Sequence, residues 1–231
     1  MRGNRAAFLG TAARGLIVKV CCIASIEEAE MALDAGADAL GLVSAMPSGP
    51  GVIEDTAIAR IAEWVGSRAP TVLLTSRLTA DGVDDQLRHV HPTVLQLVDT
   101  VSDAEILAIR SRHSDIVVMP VVHVRGEDSI AEAVRLAAMA DAILLDSGNP
   151  TATVKELGGT GRVHDWQVSR AICQAVNVPV LLAGGLSADN VAEAVRRVRP
   201  AGVDVCSGVR RDGHLHSALL AAFVTSARDA F

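Results

Sequence analysis

The chain has 231 residues, of which 50% are hydrophobic and 21% are charged, so it can bury a large core. Its net charge of −6 argues against a surface for nucleic acid or anionic membranes, and an aromatic content of 2% leaves few side chains on which bases could stack. Small phosphorylated ligands stay compatible with this composition, because backbone N–H groups bind them without a basic patch.

The cysteine content and the N-terminal residues indicate the cellular compartment of the protein. Four cysteines in a chain of this length do not form a disulfide framework, and no C-x-x-C pair occurs. Residues 1–15 combine three arginines with a brief apolar patch, which does not fit a secretory signal, so we expect a flexible N-terminal extension. No apolar run approaches the roughly 20 residues of a membrane-spanning helix. These features predict a cytoplasmic protein.

From residue 16 onward, short apolar runs rich in Val, Ile and Leu alternate with helical stretches. Strands are predicted at 16–21, 37–43, 70–76, 92–98, 116–122, 141–147, 178–185 and 201–208. Helices are predicted at 26–36, 54–66, 80–90, 102–114, 126–140, 164–176, 187–198 and 216–229. Such a series predicts a single (β/α)8 TIM barrel over residues 16–231. A doubly wound open sheet is the alternative, which eight strand–helix units in 231 residues disfavour.

The first predicted strand ends in two adjacent cysteines, in the stretch GLIVKVCCIAS. Two-residue alternation assigns Lys19 and Cys21 to one face and Val18, Val20 and Cys22 to the other. The second face is apolar, so we expect it beneath a helix and expect Lys19 and Cys21 inside the barrel. A buried ammonium needs an anion. The eighth strand, which closes against the first, offers Asp204, and we predict a Lys19–Asp204 pair.

Two strand-end groups can transfer protons. Cys21 follows strand one, and its thiolate would be stabilised by a buried ammonium. Asp146 ends strand six after four apolar residues, a setting that raises a carboxyl pKa and suits a general acid. Each also has a structural interpretation, because free cysteines are commonly inert core residues and aspartates commonly cap loops. Position alone leaves both interpretations open.

Two glycine turns follow strands seven and eight. Gly184 and Gly185 end one strand, and Ser207 and Gly208 end the next. Barrels of this type commonly bind phosphate with the loops at these positions, so we expect a phosphate site there. The histidine pairs His89/His91 and His214/His216 lack a nearby third ligand, so we expect surface histidines and no metal site.

Several blocks of the sequence together resemble one family, phosphoribosylanthranilate isomerase of tryptophan biosynthesis. VKVCCI is similar to the family's K-[IV]-C-G strand, AGADALGLV to A-G-A-D-A-[IL]-G, and LQLVD to V-Q-L-H-G. AILLDS…GGTGRVHDW resembles L-L-L-D-S…G-G-T-G-x-x-F-D-W. PVLLAGGLSADNVAEAVRRVRPAGVDVCSGV resembles the family's phosphate-binding end. The likeness runs from about residue 17 to 230.

The resemblance implies an Amadori rearrangement, in which a phosphorylated aminoaldose becomes an aminoketose without a cofactor or metal. Asp146 would be the general acid that opens the ribose ring, and Cys21 the general base that removes the C2 proton. Further substrate contacts would come from Gln96 and from a loop containing Gly159, Thr160 and Gly161. The expected partner is a small phosphorylated sugar, bound by a monomer or a homodimer.

The sequence departs from the family pattern at the end that binds the aromatic carboxylate. The loop after strand two carries an arginine in the family, whereas here it reads AMPSGPGVIED, with Pro50 or Gly51 at that position. Cys22 replaces a glycine, and Arg210 replaces an acid. Arg77, Arg125 and Arg210 could each supply the lost guanidinium. Two alternatives stay open, namely a non-catalytic phospho-sugar binder and an isomerase for a different phosphoribosylated amine.

Overall fold

The computed structural model describes residues 8–12, 15–47, 49–148 and 164–231. Within them, eight parallel strands close into a barrel in sequence order. The strands are β1 (Ile17–Val20), β2 (Ala39–Val43), β3 (Thr71–Thr75), β4 (Val94–Leu97), β5 (Val117–His123), β6 (Ile143–Asp146), β7 (Val180–Leu182) and β8 (Gly202–Val205). The predicted TIM barrel is confirmed.

A helix follows each strand. The helices are α1 (Ile26–Asp34), α2 (Asp55–Val65), α3 (Ala80–Leu87), α4 (Asp103–Arg112), α5 (Asp128–Ala137), α6 (Trp166–Ala175), α7 (Val191–Val198) and α8 (Ser217–Asp229). Several begin at a side-chain cap that satisfies a first-turn N–H group. Capping side chains are Ser25, Thr79, Ser102 and Asp165. None of the helices in the described part of the chain is long and apolar enough to cross a membrane.

The alternation of side chains along the strands produces two cores. Outward-facing residues pack beneath the helices in one large cluster, for example Val18, Leu40, Leu73, Leu95 and Val118. Inward-facing residues fill the barrel in a second cluster, for example Ile17, Ala39, Val72, Val94 and Val117. Since period-2 alternation assigns each residue to one face, these clusters fix which strand-end side chains point into the barrel.

The end of the range predicted as a flexible extension is partly ordered. Residues 8–12 are helical, and Phe8 is 1% exposed and packs in the cluster inside the barrel. This contact could not be predicted, because a single phenylalanine among arginines and alanines has no periodic pattern.

An ion pair lies inside the barrel, where β1 closes against β8. Lys19 is opposite Asp204 in the strand register, and Lys19 Nζ donates to Asp204 Oδ1 at 2.8 Å. Lys19 is completely buried. Burial disfavours its charge, but Asp204, with contributions from Cys21 and Cys22, outweighs this and raises the pKa of Lys19 above its ordinary value. The predicted pair is confirmed.

A short ribbon between β8 and α8 was not expected from the sequence. Its antiparallel strands are β9 (Arg210–Arg211) and β10 (His214–Leu215). Asp212 and Gly213 both have positive φ angles of 52° and 81°, as a tight two-residue turn requires. Such short strands carry too few residues to show alternation.

Breaking the interior ion pair should strongly destabilise the fold. We expect Asp204→Ala to lower the free energy of unfolding by about 3–5 kcal/mol, because it leaves the Lys19 ammonium buried without an anion. Urea denaturation at pH 7 measures the change. Glu193→Ala is the control, since its pair with Arg197 is exposed and should contribute at most about 1 kcal/mol. Equal losses in the two variants would contradict this account.

Candidate active site

The inward-facing groups at the C-terminal ends of the strands form one buried cluster. Cys21, Gln96, Asp146 and Asp204 share the parity of the residues that fill the barrel, and all four are less than 9% exposed. This end of the barrel therefore brings together a thiol, an amide and two carboxyls above the Lys19 ammonium.

Cys21 directly follows β1, and its backbone N–H donates to the carbonyl of Val205 at 2.8 Å. Opposite it, Gly41 leaves room for the thiol, since a Cβ there would lie 2.8 Å from Cys21 Sγ and 3.1 Å from Lys19 Nζ. A hydrogen bond with Cys22 lowers the pKa of Cys21, burial opposes this, and the Lys19 charge lowers it further. The surroundings of Cys21 therefore favour the thiolate form of its side chain.

The prediction that Cys22 packs outward beneath a helix is wrong. Its side chain belongs to the cluster inside the barrel, near Cys21 and Cys206, and its Sγ is 3.6 Å from the carbonyl oxygen of Pro50. Strand alternation fails here because β1 ends at Val20, and Cys22 adopts a left-handed backbone with φ 63°. Hydrogen bonds with Cys206 and Cys21, together with burial, raise the pKa of Cys22.

The loop after β2 covers Cys22. A Cβ on Gly51, which has φ 77°, would lie 2.5 Å from Cys22 Cβ, so this position accepts only glycine. Val52 forms a bridge with Val43 that holds the loop against the barrel. The segment in which the family motif carries an arginine is therefore occupied by backbone that packs on a thiol.

Asp146 is the last residue of β6 and is 8% exposed. Its Oδ1 accepts a hydrogen bond from the backbone N–H of Ser147 at 2.7 Å. Burial raises the pKa of Asp146 to about 6, and the negative charge of Asp204 adds to this while Lys19 and Ser147 oppose it. A carboxyl of this kind can hold a proton near neutral pH and release it.

A histidine that we did not single out from the sequence ends β5. His123 lies opposite Asp146 in the strand register, and its Nε2 donates to the carbonyl of Val98 at 3.2 Å. Burial lowers the pKa of His123. Its Nδ1 is buried without a hydrogen-bond partner among the described residues. The apolar strand MPVVH ends in this histidine just as β6 ends in its aspartate, which is the signal that could have found it.

His164 is a second histidine beside Asp146. Ser169 Oγ donates to the Asp165 carbonyl and accepts from His164 Nε2 at 2.8 Å, which leaves Nδ1 as an acceptor. A Cβ on Gly184 would lie 3.0 Å from His164 Nδ1 and 3.2 Å from Asp146 Oδ1. Burial lowers the pKa of His164 to about 4, so the imidazole beside the carboxyl is neutral. The family motif has phenylalanine at this position.

The two glycine turns meet at the end of the barrel. Gly184 and Gly185 have φ angles of 85° and 63°, and a bridge joins Ser187 to Gly208. A Cβ on Gly208 would lie 2.0 Å from the carbonyl oxygen of Leu186. The turns after β7 and β8 thus contact each other through backbone that only glycine permits.

Of the remaining predicted site residues, the structure describes Gln96 and Ser207. Gln96 lies in β4 with its Oε1 buried and without a partner among the described residues, facing the barrel interior. Ser207 is exposed directly after Cys206. Gly159, Thr160 and Gly161 lie outside the described residues.

Of the three arginines considered as replacements, Arg210 is already engaged. Its guanidinium binds Glu28 through Nη1 at 2.8 Å and Nη2 at 3.0 Å, and Nη2 also donates to the Cys22 carbonyl at 2.6 Å. Arg77 and Arg125 are exposed in the loops after β3 and β5. Arg210 is therefore not free to bind a substrate carboxylate.

Comparison with known proteins agrees with this geometry. A family model described as "N-(5'phosphoribosyl)anthranilate (PRA) isomerase" matches residues 18–226. The chain belongs to this family. An N-(5'-phosphoribosyl)anthranilate isomerase from Haloferax volcanii is 40% identical over 220 residues, which cover 92% of this chain and 93% of that protein. The fold and family predicted from the motifs are confirmed.

Solved structures of phosphoribosylanthranilate isomerases superpose on the barrel. One, in complex with reduced 1-(o-carboxyphenylamino)-1-deoxyribulose 5-phosphate, has a TM-score of 0.78 at 25% identity, covering 93% of this chain and 99% of that one. A structure of monomers of the dimeric isomerase from Thermotoga maritima has a TM-score of 0.75 at 25% identity with the same coverage. Membership of this family makes the chain an isomerase of the aldose–ketose type.

Replacing the buried carboxyl should stabilise the protein in a pH-dependent way. The folded-state pKa of Asp146, about 6, is above the ordinary value of 3.8, so ionisation of Asp146 opposes folding as the pH rises through this window. We expect Asp146→Asn to be more stable than the wild type by up to about 3 kcal/mol at pH 7.5, with the difference vanishing below pH 4. Chemical denaturation across this range measures it, and a difference independent of pH would contradict it.

Proposed function

We propose that this chain converts N-(5'-phosphoribosyl)anthranilate to its 1-deoxyribulose-phosphate isomer, with Asp146 as general acid and Cys21 as general base. The observation that carries the proposal is the opposed environment of the two groups at one end of the barrel. Burial raises the pKa of Asp146 to about 6, while Cys22 and Lys19 lower the pKa of Cys21. The acid must start protonated and the base ionised, which these shifts favour near neutral pH.

The reaction rearranges bonds within one molecule. Asp146 protonates the ribose ring oxygen, the C1–O bond breaks, and the nitrogen lone pair forms a C1=N iminium. The Cys21 thiolate then removes the C2 proton, and the electrons of that C–H bond form C1=C2 while the nitrogen regains its lone pair. The resulting enolamine becomes the ketone when C1 accepts a proton from the Cys21 thiol and the C2 hydroxyl gives one to the Asp146 carboxylate, which restores both groups. Atoms and electrons balance without a co-reactant.

The neutral imidazoles fit this scheme. His164 and His123 both have lowered pKa values because they are buried, so neither puts a cation beside Asp146 at neutral pH. A cation there would favour ionised Asp146 and weaken it as an acid. Gln96 Oε1 supplies a further buried acceptor for a substrate hydroxyl.

The decisive experiment is turnover by the purified chain, together with complementation of a tryptophan auxotroph that lacks this isomerase. We expect the wild type to turn over the substrate and restore growth. Cys21→Ala and Asp146→Asn should each reduce kcat by at least about 100-fold, because each removes a proton-transfer group.

Cys173→Ala is the matched control for the cysteine variant. This thiol lies on α6, away from the barrel interior, and should be dispensable. Full growth with Cys21→Ala would remove the thiol from the mechanism. A wild type that binds inorganic phosphate but shows no turnover would favour a non-catalytic phospho-sugar binder.

We propose that the phosphate group binds at the turns that contain Gly184, Gly185, Ser207 and Gly208. Gly208→Ala should weaken inhibition by inorganic phosphate at least about tenfold, because its Cβ would push the turn after β8 away from the Leu186 carbonyl. Gly15→Ala is the control, since a Cβ there meets no atom within 4 Å. Inhibition constants for phosphate measure the effect, and identical constants in both variants would argue for a different phosphate site.

One observation favours a second candidate, an isomerase for a phosphoribosylated amine without the carboxylate. The loop after β2 packs its backbone on Cys22, and Arg210 is bound to Glu28. Comparing kcat/KM for the anthranilate substrate and its aniline analogue separates the two. A ratio near one favours the second candidate, whereas a ratio above about 100 requires a cation such as Arg77 or Arg125 at the carboxylate.

The predicted location and assembly stay proposals. We expect a cytoplasmic protein in which all four cysteines are free thiols, as they are in the structure. Either a monomer or a homodimer is compatible with the proposed reaction, because the residues assigned to it all come from one barrel.

A further inference from the structure

Arg210 connects three parts of the chain that are distant in sequence. It lies in β9, binds Glu28 of α1 with both terminal nitrogens, and donates through Nη1 to the Gly213 carbonyl at 3.0 Å. Its Nη2 also donates to the carbonyl of Cys22 at 2.6 Å and lies 3.5 Å from that of Cys21. The guanidinium thus contacts the two peptide groups that follow the proposed base.

Glu28 is held as firmly as its partner. Its carboxylate accepts from the backbone N–H of Ala24 at 3.0 Å and of Leu215 at 3.1 Å, in addition to the two bonds from Arg210. Burial opposes ionisation, but these donors outweigh it and lower the pKa of Glu28. Both side chains are largely buried, so this ion pair is less screened than a surface pair.

The backbone that the pair holds is strained. Cys22 is a non-glycine residue with φ 63°, a conformation that costs about 1–2 kcal/mol and persists only when surrounding contacts determine it. The Arg210 bond to its carbonyl is such a contact. The turn directs the Cys22 thiol toward Cys21 and returns Ile23 to the cluster beneath the helices.

We propose that the Arg210–Glu28 pair is a positioning device for the Cys21 base. By holding the carbonyls of Cys21 and Cys22, it fixes the left-handed turn that places the Cys22 thiol beside Cys21. The inference rests on the proposed function of Cys21, and Arg210 itself does not touch the reacting atoms.

Alkylation of Cys21 by iodoacetamide tests the proposal without requiring turnover. The rate is followed against pH, and the modified cysteine is identified by peptide mass spectrometry. In Arg210→Gln we expect the pH midpoint of Cys21 alkylation to move upward, because the relaxed turn no longer holds the Cys22 thiol beside Cys21. We expect kcat to fall about 10- to 100-fold with little change in KM, as misplacement of a reacting group predicts.

The matched control is Arg211→Gln, which removes the same charge from the adjacent, exposed residue of β9 and should leave both readouts unchanged. Arg210→Lys should give intermediate values, since one ammonium cannot bind two carboxylate oxygens and a carbonyl in the same fork geometry. If Arg210→Gln does not fold, Arg210→Lys and Glu28→Gln carry the same test. A variant that alkylates and turns over like the wild type, with only its stability lowered, overturns the proposal.

The two proposals fail separately. A wild type without isomerase activity, combined with a shifted alkylation midpoint in Arg210→Gln, would contradict the proposed function and support the positioning role. If the wild type is active and Arg210→Gln has the same alkylation midpoint and kcat, the result would support the proposed function and contradict the positioning role.

Discussion

The ion pair between Lys19 and Asp204 is the constraint on which the environment of Cys21 and Asp146 depends. A closed barrel has no room for an unpaired charge, so the 2.8 Å contact across the β1–β8 seam fixes both groups in the interior. The ammonium then acts on two neighbours in opposite ways. It favours the thiolate of Cys21, and it only partly offsets the burial that raises the pKa of Asp146. One buried charge thus acts on both groups that we propose to transfer protons.

The pKa values of Cys21 and Asp146 shift for different reasons, because a hydrogen bond with Cys22 is the largest influence on the first and burial is the largest influence on the second. Cys21 has the Cys22 thiol beside it, whereas Asp146 accepts from the backbone N–H of Ser147 at 2.7 Å and from its hydroxyl at 3.5 Å, with two neutral imidazoles nearby. Burial favours the protonated form of a carboxyl, and a neighbouring hydrogen-bond donor favours the ionised form of a thiol. These environments arise because a left-handed turn follows β1, whereas the residues of β6 before Asp146 are apolar.

The fold could be predicted from the sequence wherever one pattern of hydrophobic residues continues along a strand or helix. The eight strands, their helices, the inward face of β1 and the interior ion pair all follow from two-residue alternation and capping residues. The prediction of side-chain direction failed where the two-residue alternation of the strand ends. Cys22 lies one residue beyond the reach of strand parity, because a left-handed backbone after β1 reverses the direction of its side chain. His164 could not be linked to Asp146, since only the closed barrel brings α6 beside β6 and β7.

The departures from the family pattern can be understood as a single structural change centred on Cys22. Once a thiol replaces glycine at the left-handed position, the facing residue of the loop after β2 must lack a Cβ, and Gly51 meets this demand. Arg210, where the family motif has an acid, donates to the carbonyl of Cys22 and so holds its left-handed backbone. Glu28 neutralises the charge of Arg210. The loop that would carry the arginine is therefore used to cover the thiol. In this barrel, the loop that covers Cys22 and the arginine that binds the Cys22 carbonyl both stand where the sequence departs from the family motif.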